Sequence, residues 1–243
     1  MTIEGRNFPQ FFITAPSPCP YVPGQQERKV FTHLIGGDTR HLNTQLSQNG
    51  FRRSQNIVYR PACDACKACT SVRVPVRSFD WSKSFKRVLK QNHDVVSTVV
   101  KAEATSEHYS LFRGYIDTRH AEGGMADMSV LDFAAMVDET ITDSRIVEYR
   151  FGPNHPQAGE LICAVLMDVL SDGLSLIYSF YEPSYDYRSL GTLVILDAIT
   201  RANKLSLRYV YLGYYIEGSR KMSYKARFLP QERLSGQSWT LVR

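Results

Sequence analysis

Apolar positions change rhythm along the chain, and the changes mark its elements. In DWSKSFKRVLKQNHD, residues 80–94, Phe85, Val88 and Leu89 line one side while Lys83, Lys86, Arg87 and Lys90 recur at three- and four-residue steps on another, the period of a helix. TSEHYSLFRGYIDTRH, residues 105–120, carries Leu111, Phe112, Tyr115 and Ile116 at the same spacing and predicts a second helix. A third is predicted at SVLDFAAMVDE, residues 129–139, opened by Ser129 and Asp132 in a capping-box arrangement. The glycine-containing HAEGGMADM between these two reads as a mobile link.

The last third runs to a different beat. RIVEYR (145–150), ELICAVLMDVL (160–170) and LSLIYSF (174–180) are strand-like, and Asp172-Gly173 predicts a hairpin between the latter two. SLGTLVILDAITRANKL (189–205) follows as a buried helix leading into the strand RYVYLGYY (208–215), so that strand, strand, helix, strand forms an α/β unit. Earlier, FRRSQNIVYR (51–60) reads as one strand and TSVRVPVRSF (70–79) as another, whereas APSPCPYVPGQQER (15–28) is an irregular lead-in.

Composition adds a core and a charge pattern. The 243 residues are 43% apolar, enough for one large or two small domains. The short apolar patch in the first twenty residues is interrupted by Pro9, which fits neither a signal peptide nor a spanning helix, so a cytoplasmic protein with no membrane partner is expected. Net charge is +5, unevenly spread. From Arg52 to Lys90 there are ten Lys/Arg against Asp64 and Asp80, residues 91–150 hold eleven Asp/Glu against five Lys/Arg, and from Arg201 onward the balance is nine basic to two acidic. Two basic surfaces separated by an acidic one suit a polyanionic partner better than an evenly solvated shell does.

Three constellations carry candidate chemistry. In RPACDACKACTSVR, Cys63, Cys66 and Cys69 stand at three-residue steps on the connection between two predicted strands, with Cys19, followed by a proline, as the candidate fourth ligand. A zinc site or an iron-sulfur cluster needs such a fourth thiolate, and the alternative is a packed loop with uncoordinated thiols. Cys163, inside ELICAVLM, reads as a core residue. The second constellation, YEPSYDYRSLGTL, places Arg188 and Gly191 at a helix start, as in loops that receive a pyrophosphate, but Leu193 stands where an acyl-coenzyme A loop commonly has glycine or alanine. In the third, YLGYYIEGSRKMSYKARFLP, Tyr211, Tyr214, Tyr215 and Tyr224 interleave with Arg220, Lys221, Lys225 and Arg227, which suits stacked bases and phosphates or a carboxylate gripped by several donors.

The segments CPYVPGQQERKVFTHL, GFRRSQNIVYRPAC, RHAEGGMADM, DVLSDGLSLIYSFYEP, RSLGT and YVYLGYYIEGSRKMSYKARFLP together resemble the bacterial aspartate/glutamate leucyltransferases of the arginyl-tRNA-protein transferase family, in order and over nearly the whole chain. The resemblance implies a small N-terminal domain bearing the cysteine loop and a C-terminal N-acetyltransferase-like domain, divided here as residues 1–100 and 101–243. It implies an enzyme that moves one amino acid from an aminoacyl-tRNA to the α-amine of proteins beginning with Asp or Glu, a step of the N-degron pathway. Leu-tRNA is the expected donor, with arginine as the alternative. No coenzyme A is expected, and an iron-sulfur cluster or zinc is implied at Cys19, Cys63, Cys66 and Cys69.

On that reading, the acceptor amine attacks the aminoacyl ester. An α-amine with a pKa of about 8 is partly neutral already, so positioning outweighs proton removal. Glu182, just beyond the strand LSLIYSF, is the candidate to hold or deprotonate the amine, with capping of the following loop as its structural alternative. The Tyr178 hydroxyl or backbone N–H groups from Leu212 to Tyr214 are candidates to receive the oxyanion. Arg53, Lys221 and Lys225, oriented by Tyr59 and Tyr224, are expected to bind the acceptor carboxylate, and Lys83, Lys86, Arg87, Lys90 and Arg188 the tRNA. An acyl-coenzyme A-dependent N-acetyltransferase and a non-catalytic, metal-stabilised RNA-binding module are the rival readings.

Overall fold

The stretch Leu161–Val169 is apolar at nearly every position, which a strand tolerates only when both its faces are covered. In the computed structural model, which describes residues 9–36 and 38–243, this stretch lies inside an eight-stranded sheet with helices on both sides. The elements in chain order are β1 (Phe12–Ile13), β2 (Ser17–Pro18), β3 (Gln26–Glu27), β4 (Lys29–His33), α1 (Thr39–Gln48), β5 (Arg52–Ser54), β6 (Ile57–Pro61), β7 (Thr70–Pro75), α2 (Lys83–Gln91), β8 (Val95–Lys101), α3 (Ser106–Arg119), α4 (Val130–Asp138), β9 (Ser144–Phe151), β10 (Leu161–Val169), β11 (Gly173–Tyr181), α5 (Leu190–Lys204), β12 (Tyr209–Tyr215), β13 (Gln231–Ser235) and β14 (Ser238–Val242).

The large sheet runs β14-β13-β7-β12-β11-β10-β9-β8, antiparallel throughout except for β11 with β12. That parallel pair requires a crossover, and α5 supplies it. One face of the sheet packs α2 and α5 through Phe85, Val88, Leu193, Ile195 and Leu196, and the other packs α3 and α4 through Phe112, Ile116, Phe133 and Val137. Cys163 is fully buried on the first face, as its apolar setting predicts, and burial pushes its thiol well above the ordinary range. The predicted hairpin is present, with Leu170 N donating to Gly173 O at 2.9 Å. Ser129 and Asp132 form the reciprocal capping box that opens α4.

A smaller sheet, β1-β4-β6-β5, packs with α1 around Leu34, Leu46, Phe51 and Val58. The segment 51–60 is therefore a two-strand hairpin rather than one strand, turning at Gln55 with φ +53° and without glycine or proline to announce it. The lead-in 15–28 contains the two-residue strands β2 and β3, paired with one another. Within HAEGGMADM, Ala126 O accepts from Arg113 at 2.6 Å, and Met125 and Met128 pack on the α3/α4 core.

Residues 70–75 and 95–100, which a division at residue 100 assigns to the first domain, belong to strands of the large sheet. The small sheet docks through polar contacts at the β10–β11 turn. Asn43 donates to Asp168 at 3.1 Å, Gln48 to Asp172 at 2.8 Å, and Ser171 N to Thr44 Oγ1 at 3.0 Å. The expectation that residues 1–20 hold no spanning helix falls in part on residues 1–8, outside the described residues. Among those described, no helix is long and apolar enough to cross a membrane.

Candidate active site and cysteine cavity

β11 and β12 start as neighbours and then part. Gly173, Leu174 and Ser175 pair with Tyr209, Val210 and Tyr211, but beyond that point β12 follows β7, with an irregularity between Tyr211 and Gly213 that leaves Leu212 out of register. A parted strand pair leaves carbonyls without partners, and buried carbonyls need donors. Two cations supply them. Arg52 of β5 enters the gap and donates from Nη2 to Leu176 O at 2.8 Å and Ile177 O at 2.9 Å. From the other side, Lys225 Nζ donates to Tyr214 O at 2.6 Å. Gly213, at φ +77°, permits this arrangement because a Cβ there would overlap the Arg52 guanidinium.

Arg52 is half-buried and Lys225 buried. Arg52 Nη1 is buried without a hydrogen-bond partner. Lys225 is 8% exposed, and burial, followed by repulsion from Arg52, pulls its pKa down to about 7. The Tyr224 ring lies beside it, with Lys225 Nζ 5.8 Å from the ring centroid. Around the mouth, Tyr181 packs on Tyr115 at 4.8 Å, Arg119 lies over Tyr181 and pairs with Asp186, and His120 Nε2 is 3.3 Å from Tyr115 Oη. Burial and then Lys221 lower the His120 pKa, which puts exposed Lys221 at the same mouth.

The expected catalytic residues lie on the β11 side. Tyr178 packs on Phe112 and Phe180, and burial pushes its hydroxyl up to about 12, so that it stays protonated and able to donate. Glu182 accepts from Ser184 N at 3.1 Å, capping the 3-10 turn Pro183–Arg188, the structural role named as its alternative. Tyr59 stands on the far side of Tyr214, their ring centroids 6.2 Å apart, and faces the cysteines rather than the strand gap.

Two expected binding residues are already spent. Arg53 donates to Asp168 at 2.6 and 2.8 Å, to Ser144 Oγ at 3.2 Å and to Gln55 O at 2.8 Å, with both Arg53 and Asp168 side chains 1% exposed. It cannot also hold a substrate carboxylate. Arg188 donates to both oxygens of Asp94, at 2.8 and 3.0 Å, and packs over Phe151, so it braces α5 against the β8 side rather than facing a tRNA. Arg73 is neutralised likewise: it pairs with Glu232 at 2.6 Å between the rings of Tyr209 and Trp239. By contrast Lys83, Lys86, Arg87 and Lys90 are all exposed along α2, opposite buried Phe85 and Val88. Arg52, which sequence reasoning passed over for its neighbour, is the residue that reaches the gap. Nothing in the string RRS distinguishes the two, because the strand's register alone decides which points where.

Cys19, Cys63, Cys66 and Cys69 line one cavity of about 810 Å³, together with Tyr59, Lys29 and Tyr214. All four are free. Burial raises the Cys69 thiol to about 11, and Cys19, Cys63 and Cys66 add to the shift. Four soft donors lining one cavity are the right chemistry for zinc or an iron-sulfur cluster, since a cation beside a thiol favours its thiolate. Among the described residues, no three Cys, His, Asp or Glu side chains are gathered closely enough to hold an ion as they stand. The donor set fits such a group in its chemistry.

A β-α-β crossover over a parted parallel pair is the architecture of N-acetyltransferase-like transferases, here joined to a small cysteine-bearing domain. The family model described as "Arginine-tRNA-protein transferase, C terminus" matches residues 107–235, and its N-terminal counterpart matches residues 17–87. The chain belongs to the arginine-tRNA-protein transferase family and is an aminoacyl-tRNA-protein transferase. Among curated relatives, the aspartate/glutamate leucyltransferase of Afipia carboxidovorans is 58% identical over the whole chain and 96% of that relative. Those of Bradyrhizobium sp. (strain BTAi1) and Azorhizobium caulinodans are 57% and 56% identical, again over the whole chain, and 95% and 99% of the relative. A solved structure, L-PGS from Bacillus licheniformis, aligns with a TM-score of 0.47 at 8% identity over 62% of this chain and 46% of that one.

Proposed function

We infer that this chain transfers leucine from Leu-tRNA to the α-amine of proteins that begin with Asp or Glu, a cytoplasmic step that marks them for degradation. The observation that carries the reading is the 58% identity, from end to end of the chain, with a relative named for that activity. Leucine is favoured over arginine because the similar curated relatives are leucyltransferases.

The reaction is aminolysis of an ester. The neutral acceptor nitrogen forms a bond to the aminoacyl carbonyl carbon, the bond from that carbon to the ribose oxygen breaks, and the proton lost by the nitrogen ends on the departing ribose hydroxyl. The parted strands give ester and amine a common cleft, which converts an encounter into a positioned attack. Leu212, out of register with β7, offers its backbone to the developing oxyanion, and the Tyr178 hydroxyl is a second donor. Glu182, at the end of β11, is the candidate to hold or deprotonate the acceptor amine, one of its oxygens accepting from Ser184 N. Lys221 and Tyr224 border the mouth on the acceptor's side.

The exposed row Lys83, Lys86, Arg87 and Lys90 meets the phosphates of the tRNA, since each neutralised phosphate releases counterions. Cys19, Cys63, Cys66 and Cys69 would hold an iron-sulfur cluster or zinc that pins the loop 62–69 to the 19–25 turn. Mixing the protein with separately charged Leu- and Arg-tRNA and an Asp-initiated peptide, then weighing the product, tests the reading. Addition of one leucine residue is expected; addition of arginine alone, or of nothing, overturns it.

A further inference from the structure

The gap between β11 and β12 holds two cations and, among the described residues, neither forms an ion pair with a carboxylate. Elsewhere inside this protein buried guanidiniums are matched: Arg53 has Asp168, Arg73 has Glu232, and Arg188 has Asp94. Two like charges, one half-buried and one buried, are costly side by side without a counter-ion, and an anion from outside relieves the cost. We propose that Arg52 and Lys225 together form an anion seat in the strand gap, which takes the side-chain carboxylate of the acceptor's first residue. This rests on the leucyl-transfer reading above and names the residues that make it selective for acidic termini.

Chemistry of the acceptor narrows the choice. The carboxylate of an N-terminal Asp is two bonds from the α-carbon, and that of Glu three. Whatever binds it must therefore lie beside the point where the α-amine attacks. Arg53, Arg73 and Arg188 are consumed by internal partners, and the α2 cations look outward. Arg52 and Lys225 remain in the strand gap, anchored on opposing strands by Leu176 O, Ile177 O and Tyr214 O, and so held in place before any ligand arrives. Arg52 keeps a buried N–H group on Nη1 to spare, and Lys225 keeps two. An Asn or Gln side chain would leave the two charges facing one another without neutralising either.

A second consequence can be measured. The groups facing Lys225 are Arg52 from β5, Tyr224 on its own turn and Tyr214 from β12, with Tyr181 of β11 beside Tyr224. None is an anion at neutral pH. Burial and the Arg52 charge therefore draw the Lys225 amine toward the neutral range, and a carboxylate placed against it favours the proton.

Calorimetry of an Asp-initiated peptide and its Asn counterpart, in two buffers of different ionisation enthalpy, tests the seat. The wild type should bind the Asp peptide at least about tenfold more tightly, roughly 1.4 kcal/mol, and take up a large fraction of a proton per peptide. Arg52→Gln should bind both peptides alike, without proton uptake, and bind Leu-tRNA as the wild type does. Equal affinity of the wild type for the two peptides overturns the proposal. So does an Arg52→Gln protein that keeps the Asp preference, or one that instead loses Leu-tRNA, which would give the seat to a phosphate. Should Arg52→Gln not fold, Lys225→Met is read by the same comparison and should lose the Asp preference; keeping it overturns the proposal. An Asp preference lost in the variant, with no leucine joined by the wild type, would sink the transfer reading and leave the seat; leucine joined by the wild type, with the preference intact in the variant, would do the reverse.

Discussion

Arg52 and Arg53 are neighbours on one short strand, and the pleat sends them to opposite sides of the small sheet. Arg53 meets a complete set of acceptors on Asp168, Ser144 and Gln55, and locks β5 to the β10–β11 turn. Arg52 meets only backbone carbonyls of a parted strand and keeps its charge uncancelled. One arginine is architecture and the other is equipment. The difference lies in whether a carboxylate waits at the end of the side chain, and Asp168 waits more than a hundred residues away.

The largest effect should come from breaking the satisfied partner. Asp168→Ala leaves the Arg53 charge buried and alone, which should cost about 3–5 kcal/mol in urea unfolding, whereas replacing both residues by apolar ones should recover most of that loss. Next, Gly213→Ala pushes a methyl into the Arg52 guanidinium at a positive φ. It should destabilise by about 1–3 kcal/mol and raise the KM for acidic acceptor peptides in transfer assays. If Gly213→Ala raises only the KM for Leu-tRNA, the gap serves the donor instead.

Changing Lys83, Lys86 and Arg87 together to Ala sharpens the contrast from outside. Filter binding should show the slope of log K against log salt reduced by about 2–3, with stability changed by no more than about 0.5 kcal/mol per site. The smallest effect belongs to Arg188 and Asp94. Hydrogen bonds from Arg188 hold the Asp94 carboxyl below its ordinary range. The pair's contribution is therefore present above that ordinary value and lost as pH falls through the depressed folded one. Asp94→Asn should flatten the acid limb of stability below about pH 4, read by thermal denaturation across pH.

Much of this molecule is legible in its sequence because it rests on local period. The helical stripes of Phe85 and Val88, and of Leu111, Phe112 and Ile116, are where 3.6-residue spacing puts them, and Asp172-Gly173 turns as its chemistry demands. The four cysteines do share one cavity, Cys19 included. What escaped is non-local. No pattern near residue 70 says that β7 will slip between β12 and β13, far from its chain neighbours. Nor does any say that Arg188 will find Asp94, or that Arg53 will turn inward while Arg52 turns to the cleft. Gln55 bends a hairpin in the left-handed region without glycine, so the turn carries no local mark.

Tyr214 belongs to two neighbourhoods at once. Its ring forms part of the wall of the thiol cavity, its hydroxyl hydrogen is shared between Gly50 O at 2.9 Å and Tyr59 O at 3.0 Å, and its own carbonyl grips the Lys225 amine. A single rigid tile therefore joins the sulfur-lined chamber to the charged floor behind it. The cysteine chamber and the cation-filled gap thus share one residue, and a change at Tyr214 touches both.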